Sequence, residues 1–272
     1  MKTDKIKKYF VFALLVIISG CQKTDLIDPG IAYREKIVVV ANLQEGLPFS
    51  GVSFTRTLPL NSSFDKSNAV LSDVTVWLRI NGIKIIPLHY DKGGIYKPMD
   101  IFTVHAGEEF ELFARYSGKD IYSKTRIPSR PSVNSSMLAE GKYLESRLVP
   151  EANTVYGAVW LIAGNNSYSY ADTASDFFEI IKPSGLDVKS DIAVRTIEIP
   201  EKYLSEEYTG KVYVRVFAFD NDYYEYFRSR TKNQQVNNSF TQGGGDIAWN
   251  IKGKDAIGLF IGSAQGVVIK PK

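Results

Sequence analysis

The stretch Val74-Thr75-Val76-Trp77-Leu78-Arg79-Ile80 alternates apolar and polar residues, meets Asn81-Gly82, and resumes as Ile83–His89. Asn-Gly between two such runs predicts a type I′ turn, because both central residues must take positive φ. A hairpin of this kind fixes two strands as antiparallel and decides which side chains share a face. The neighbouring sequence reads the same way. Lys36–Leu43 is β-branched, Val52–Leu58 alternates, and Asn61–Ala69 is a polar insertion. Gly94-Ile95-Tyr96-Lys97 leads to Phe110–Tyr116, and Ser117-Gly118-Lys119-Asp120 turns the chain into Ile121–Ile127. About seven short strands separated by turn signals predict an antiparallel sandwich. Pro128-Ser129-Arg130-Pro131-Ser132 ends that region, since two prolines cannot extend a central strand.

The second half is less regular. Strands are expected over Val155–Ala163, Asp176–Ile181 and Ile192–Ile199, and Lys211–Phe219 has the cleanest alternation in the chain. A helix should follow, with Asp222 as cap, Glu225 at the capping-box position, and Tyr223 and Phe227 on one face. It should fray near Asn233–Asn238. Gly243-Gly244-Gly245 reads as a flexible bend, and Ile247–Ile251, Ile257–Ile261 and Val267–Ile269 as closing strands. The expected fold is mainly β: an Ig-like or transthyretin-like antiparallel sandwich over 34–128, then a β-rich domain over 133–272 with one short helix.

The N-terminal segment follows different rules. Lys2, Lys5, Lys7 and Lys8 precede an uncharged run from Tyr9 to Ile18, too short to span a bilayer as a stable helix, then Ser19, Gly20 and Cys21. This is a secretory signal over 1–20. An aliphatic residue, two small ones and a cysteine resemble the bacterial lipobox, in which the cysteine is lipidated and begins the mature chain. Cys21 is the sole cysteine; the competing readings are an ordinary signal peptide with a chance cysteine, or an uncleaved anchor. Residues 21–33 read as a polar, turn-rich tether. Its start, Gln22-Lys23-Thr24-Asp25, resembles the export signal that sends lipoproteins of the Bacteroidota to the cell surface.

Composition narrows function by exclusion. Residues 1–20 hold four of the 33 basic and one of the 30 acidic side chains, leaving 29 of each. A body near neutrality gives nucleic-acid binding no electrostatic support. With Cys21 lipidated, no thiol remains for disulfides or catalysis. His89 and His105 are the only histidines, without the partners a zinc site needs, and no Gly-x-Ser-x-Gly occurs. Glu109 and Glu111 share a strand face and read as a solvated sandwich surface. Asp220-Asn221-Asp222 with Glu225 lacks the full EF-hand spacing, and capping accounts for them. No cofactor, metal or catalytic residue is expected. Tyrosines are the surplus: Tyr168, Tyr170, Tyr223, Tyr224 and Tyr226 gather at expected loops and the helix start. Exposed, Tyr223, Tyr224 and Tyr226 would offer ligand-binding contact area; packed, they would serve the core. Asp172-Thr173-Ala174 resembles a Bacteroidota O-glycosylation motif.

The lipobox, the Ig-like first half, the Tyr-rich helix start, Asn250-Ile251-Lys252-Gly253 and Gly258-Leu259-Phe260-Ile261-Gly262 together resemble the Bacteroidota lipoproteins classed as domain of unknown function 4249. The Gly-rich stretch Gln242–Gly245 departs from them, standing where relatives often carry a proline-containing loop. Members are often encoded beside TonB-dependent outer-membrane receptors. The resemblance therefore implies a lipid anchor in the outer membrane facing the cell surface, and a role as accessory binding subunit of nutrient uptake. The alternative is a free-standing glycan-binding or adhesion lipoprotein, with a glycan or peptide ligand.

Overall fold

A computed structural model describes residues 33–59, 65–163, 173–184, 190–234 and 247–271. Cys21, the signal segment, Tyr168, Tyr170, Asp172 and Gly243–Gly245 lie outside the described residues, as do Gln235, Asn237 and Asn238.

The chain is mainly β. In order come β1 (Ile37–Gln44), β2 (Val52–Arg56), a one-turn helix α1 (Lys66–Ala69), β3 (Thr75–Ile80), β4 (Lys84–Lys92), β5 (Ile95–Lys97), β6 (Glu109–Tyr116) and β7 (Lys119–Arg126). Then follow β8 (Val133–Ala139), β9 (Tyr143–Leu148), β10 (Thr154–Ala163), β11 (Thr173–Ala174), β12 (Ile192–Arg195), a 3₁₀ turn (Glu201–Tyr203), β13 (Lys211–Asp220), α2 (Asp222–Gln234), β14 (Lys252–Gly253) and β15 (Ala256–Gln265). Twelve strands form one sheet in the order β11-β10-β13-β15-β1-β2-β5-β4-β3-β6-β7-β14, and three form a second, β12-β9-β8. Among the described residues the strand pairings are antiparallel except β1 with β15, where Val39 lies opposite Gly258.

Local chemistry explains the turns. Asn81 (φ 52°) and Gly82 (φ 71°) both take the positive φ that a type I′ turn demands. Asp65 caps α1 by accepting the Ser67 N–H at 2.8 Å. Along β1 the residues Ile37, Val39, Ala41 and Leu43 are buried and the intervening ones are not, the period of two that a half-buried strand requires.

Residues 35–272 form one compact unit, and among the described residues its buried side chains gather in three clusters. The first draws on β1 to β7, with Phe54, Leu78, Phe110 and Leu112 fully buried, and takes in Ile251 and Phe260 from the far end of the sequence. The second gathers Leu144, Leu148, Trp160, Ile162, Val194, Val214 and Val216, with Ala264. The third is small: Val155, Ile180 and Phe219, flanked by Phe177, Phe217, Tyr223 and Tyr224. Pro128 and Pro131 fall where the chain passes from the first cluster to the second. β15 contributes to both. The sheet curls so that β7 reaches β15, where the Gly262 N–H donates to Thr125 Oγ1 at 2.8 Å.

Several expected strands take other forms. Asp176–Ile181 makes only a single bridge from Ile181 to Tyr156, because Phe177 turns in to pack on Phe217 and Phe219. Ile192–Ile199 is a ladder only as far as Arg195. Ile247–Ile251 forms no strand: the Asn250 side chain takes the place of a ladder, donating to the Phe260 carbonyl at 2.6 Å and accepting its N–H at 2.9 Å. The β8–β9 hairpin gives no clear signal in the sequence. Its runs, Val-Asn-Ser-Ser-Met-Leu-Ala and Tyr-Leu-Glu-Ser-Arg-Leu, are too polar to announce themselves.

Candidate functional site

The tyrosines at the start of α2 pack inward to different degrees. Tyr223 stacks on Phe219 with ring centroids 4.1 Å apart, and burial holds its phenol above the usual range. Tyr224 lies beneath two cations, Lys182 at 5.6 Å and Arg228 at 6.0 Å. Tyr226 contacts Trp249 at 5.5 Å and Tyr223 at 5.8 Å. These half-buried rings join the helix to the sheet.

The acidic residues nearby are engaged separately. Asp220 ends β13 and accepts from the Thr125 hydroxyl and the Arg126 N–H, each at 2.7 Å. Asp222 is the first helical residue rather than the cap, and its carboxyl is pushed up by burial and by the neighbouring Asp220 carboxylate. Glu225 pairs with Arg228 at 3.2 Å. Among the described residues no three His, Cys, Asp or Glu converge as a metal site would require.

Glu111 departs from the expectation of a solvated face. It is 7% exposed, because Trp77 and Phe113 stack beside it across β3 and β6, and Phe113 also meets Tyr122. Arg79 binds Glu111 through both carboxylate oxygens, at 2.5 and 2.7 Å, and Tyr122 donates to Oε1 at 3.1 Å. The Arg79 guanidinium is the main reason the Glu111 carboxyl sits below the usual range. Glu109 pairs with Lys124 at 2.7 Å. Arg79, Lys124 and Arg115 are each matched by a carboxylate, so this stretch of the face is a satisfied network.

A different surface is unsatisfied. Ile83, at the β3–β4 turn, is 85% exposed, and Ile85 beside it 64%; on the loop after β5, Met99 is 83% and Ile101 80% exposed. β5 runs antiparallel to β4 with His89 opposite Lys97, so the following residues return along β4 towards the turn. They arrive there: Ile80, Ile83, Phe102 and Thr103 line one cavity of about 370 Å³, with Lys84 and His105. Phe102 is held from behind by stacking on Phe49 at 5.2 Å and Phe110 at 6.1 Å. Leu47, 47% exposed, accepts the Val104 N–H at the same end. Of these aliphatics, Ile83 lines the cavity, while Ile85, paired opposite Arg79, faces the other side of β4; isolated surface aliphatics are ordinary, and an isoleucine this exposed beside a cavity makes this end of the sheet a candidate contact surface.

This surface lies away from the point where the chain comes in. Glu35 precedes Ile37, which donates to Asp255, and Asp255 pairs with Lys119 at 3.1 Å. Thr75, opposite Arg115, is at that end too. β1 and β3 then run the length of the sheet to Gln44 and Ile80, where the exposed aliphatics are. The sequence held one signal of it, an isoleucine directly after the Asn-Gly turn, where solvent-exposed residues are normally polar.

No helix among the described residues is long and apolar enough to cross a membrane. No curated protein matches the chain. The family described as Domain of unknown function (DUF4249) matches residues 24–267, nearly the whole of the body, and the chain belongs to it.

Proposed function

We propose that the protein is a lipoprotein of the Bacteroidota, anchored in the outer membrane through Cys21, that acts without catalysis as the accessory binding subunit of a TonB-dependent uptake receptor. The observation that carries the docking role is the exposed Ile83 at the cavity it shares with Phe102, with Met99 and Ile101 exposed on the loop that leads into Phe102, at the end of the sheet away from Glu35. A lipid on Cys21 would tether the chain to the bilayer, and a solvent-exposed aliphatic surface on the body would be available to a protein neighbour. The sequence supports the anchor through Lys2 to Cys21, and the family resemblance supports the receptor.

Mild-detergent affinity purification of the tagged chain from its own cells, followed by mass spectrometry, tests the reading. Near-stoichiometric recovery of an outer-membrane barrel is expected, and Ile83→Lys with Ile101→Lys should abolish it while the chain stays folded. Recovery of the lipidated chain alone would sink the accessory-subunit role and favour the free-standing binder.

A further inference from the structure

Asn81-Gly82 is the only Asn-Gly pair in the chain, and it carries a chemistry of its own besides the turn. A backbone nitrogen can attack the side-chain carbonyl carbon of the asparagine before it and close a five-membered ring. Glycine, having no Cβ, leaves that nitrogen least hindered. Both reacting groups are open here. Asn81 and Gly82 are exposed at the tip of the β3–β4 hairpin, and a Cβ added at Gly82 would meet nothing within 4 Å. The turn's own bond runs from the Ile83 N–H to the Ile80 carbonyl at 3.0 Å. Among the described residues neither the Gly82 N–H nor Asn81 Nδ2 has a hydrogen-bond partner.

One contact restrains the pair. Asn81 Oδ1 accepts the Glu109 N–H at 2.8 Å, and the Asn81 N–H donates to the Glu109 carbonyl at 2.8 Å. The side chain must therefore let go of β6 before it can swing towards Gly82. Other asparagines are worse placed. Asn250 is held by Phe260 through both ends of its amide, and Asn134 donates to Asp191. Asn153 precedes Thr154, which is β-branched and buried, so the nitrogen after it is crowded.

We propose that Asn81 is a site of spontaneous deamidation in the folded protein. The Gly82 nitrogen gives its proton to solvent base and bonds to Asn81 Cγ. The Cγ–Nδ2 bond breaks, and the amide nitrogen takes a proton from water and leaves as ammonia. Water then opens the succinimide at either carbonyl carbon, giving aspartate at position 81 or its isoaspartate isomer. The balance is one water in and one ammonia out, with no oxidant or cofactor. Asn81 lines the cavity with Ile83, Phe102 and Glu108, so either product adds a negative charge to a rim that was neutral at that position. Aspartate tolerates positive φ and can still accept the Glu109 N–H. Isoaspartate puts an extra methylene into the main chain, which a two-residue turn has no room for. This end of the sheet therefore changes charge with the age of the molecule, whether or not a receptor docks there.

The test follows the purified full-length chain in mildly alkaline buffer, folded and in guanidinium chloride. Peptide mass spectrometry, with aspartate and isoaspartate separated by chromatography, reads the product. Conversion at position 81 to both isomers is expected, ahead of every other described asparagine. The Glu109 contact should slow the folded chain at least about fivefold against the denatured one, corresponding to about 1 kcal/mol. Gly82→Ala, compared in denaturant where its φ costs nothing, should slow conversion about tenfold by crowding the attacking nitrogen. A folded chain more than about a hundredfold slower than the denatured one would mean that the turn closes the site, and would overturn the proposal. Aspartate without isoaspartate, or a rate indifferent to Gly82→Ala, would overturn it as well.

Discussion

The Thr125 hydroxyl donates to the Asp220 carboxylate at 2.7 Å, across 95 residues of sequence. Thr125 is 1% exposed on β7, and Asp220 closes β13, so the bond ties the first core cluster to the strand that builds the second. Asp220→Ala leaves that hydroxyl and the Arg126 N–H without their acceptor, and should cost about 1–3 kcal/mol. Thr125→Val should cost a similar amount by orphaning the Gly262 N–H. Denaturant unfolding of the two single variants and the double checks this, and the double should lose less than the sum of the singles.

Gly258 faces Val39 in the parallel β1–β15 pair at φ +130°, and a Cβ there would strike the Val39 carbonyl oxygen. Gly258→Ala should therefore destabilise the fold by roughly 2–4 kcal/mol, through backbone strain and separation of the two strands. The midpoint of urea unfolding measures it. Gly82, whose Cβ would meet nothing, serves as the comparison, with only the φ penalty of about 1 kcal/mol to lose.

Glu111 predicts a pH dependence. Its folded carboxyl is held below the unfolded value, which is about 4.3. The stabilisation is therefore complete above that value and disappears as pH falls through the lowered folded value. Glu111→Gln should be less stable than the parent at pH 7, and the gap should narrow progressively below about pH 4. Unfolding free energies of both proteins at several pH values decide it, and a gap that does not change with acid would refute the assignment.

Tyr223 and Tyr224 separate packing from recognition. Tyr223→Ala removes the ring stacked on Phe219 and should cost about 2–3 kcal/mol, while Tyr223→Leu keeps most of the buried area and should cost less than about 1.5 kcal/mol. Tyr224→Ala gives up two cation–π contacts at a half-exposed position and should cost about 1 kcal/mol. Thermal unfolding of the three variants ranks them.

What could be read from the chain was what local physics decides. The Asn81-Gly82 turn follows from the positive φ its residues tolerate, and β10 and β13 from long alternating or β-branched runs. Ile247–Ile251 has strand-like composition too, yet its hydrogen bonds are taken by the Asn250 side chain, and no pattern within five residues reveals a partner ten residues on. The second glycine of Gly258-Leu259-Phe260-Ile261-Gly262 has a comparable explanation. A Cβ at Gly262 would collide with the Arg126 carbonyl, so the motif records two close backbone approaches, neither of which exists until distant strands assemble. The aliphatic surface was hidden for another reason. Ile83, Ile85, Met99 and Ile101 look like core residues, and only the folded chain shows that they are exposed.

The strand β15 sits between β13 and β1, and among the described residues no other strand joins the two parts of the large sheet. The chain is made in the order in which its sheet cannot be completed. β1 emerges first and must wait for residues 256–265, more than 200 positions later, before its open side is covered. Until then nascent molecules expose a long unpaired edge, which favours slow folding and a need for protection from neighbours. A stop codon just ahead of Ala256 would therefore not trim the protein: it would divide the large sheet into two separate pieces.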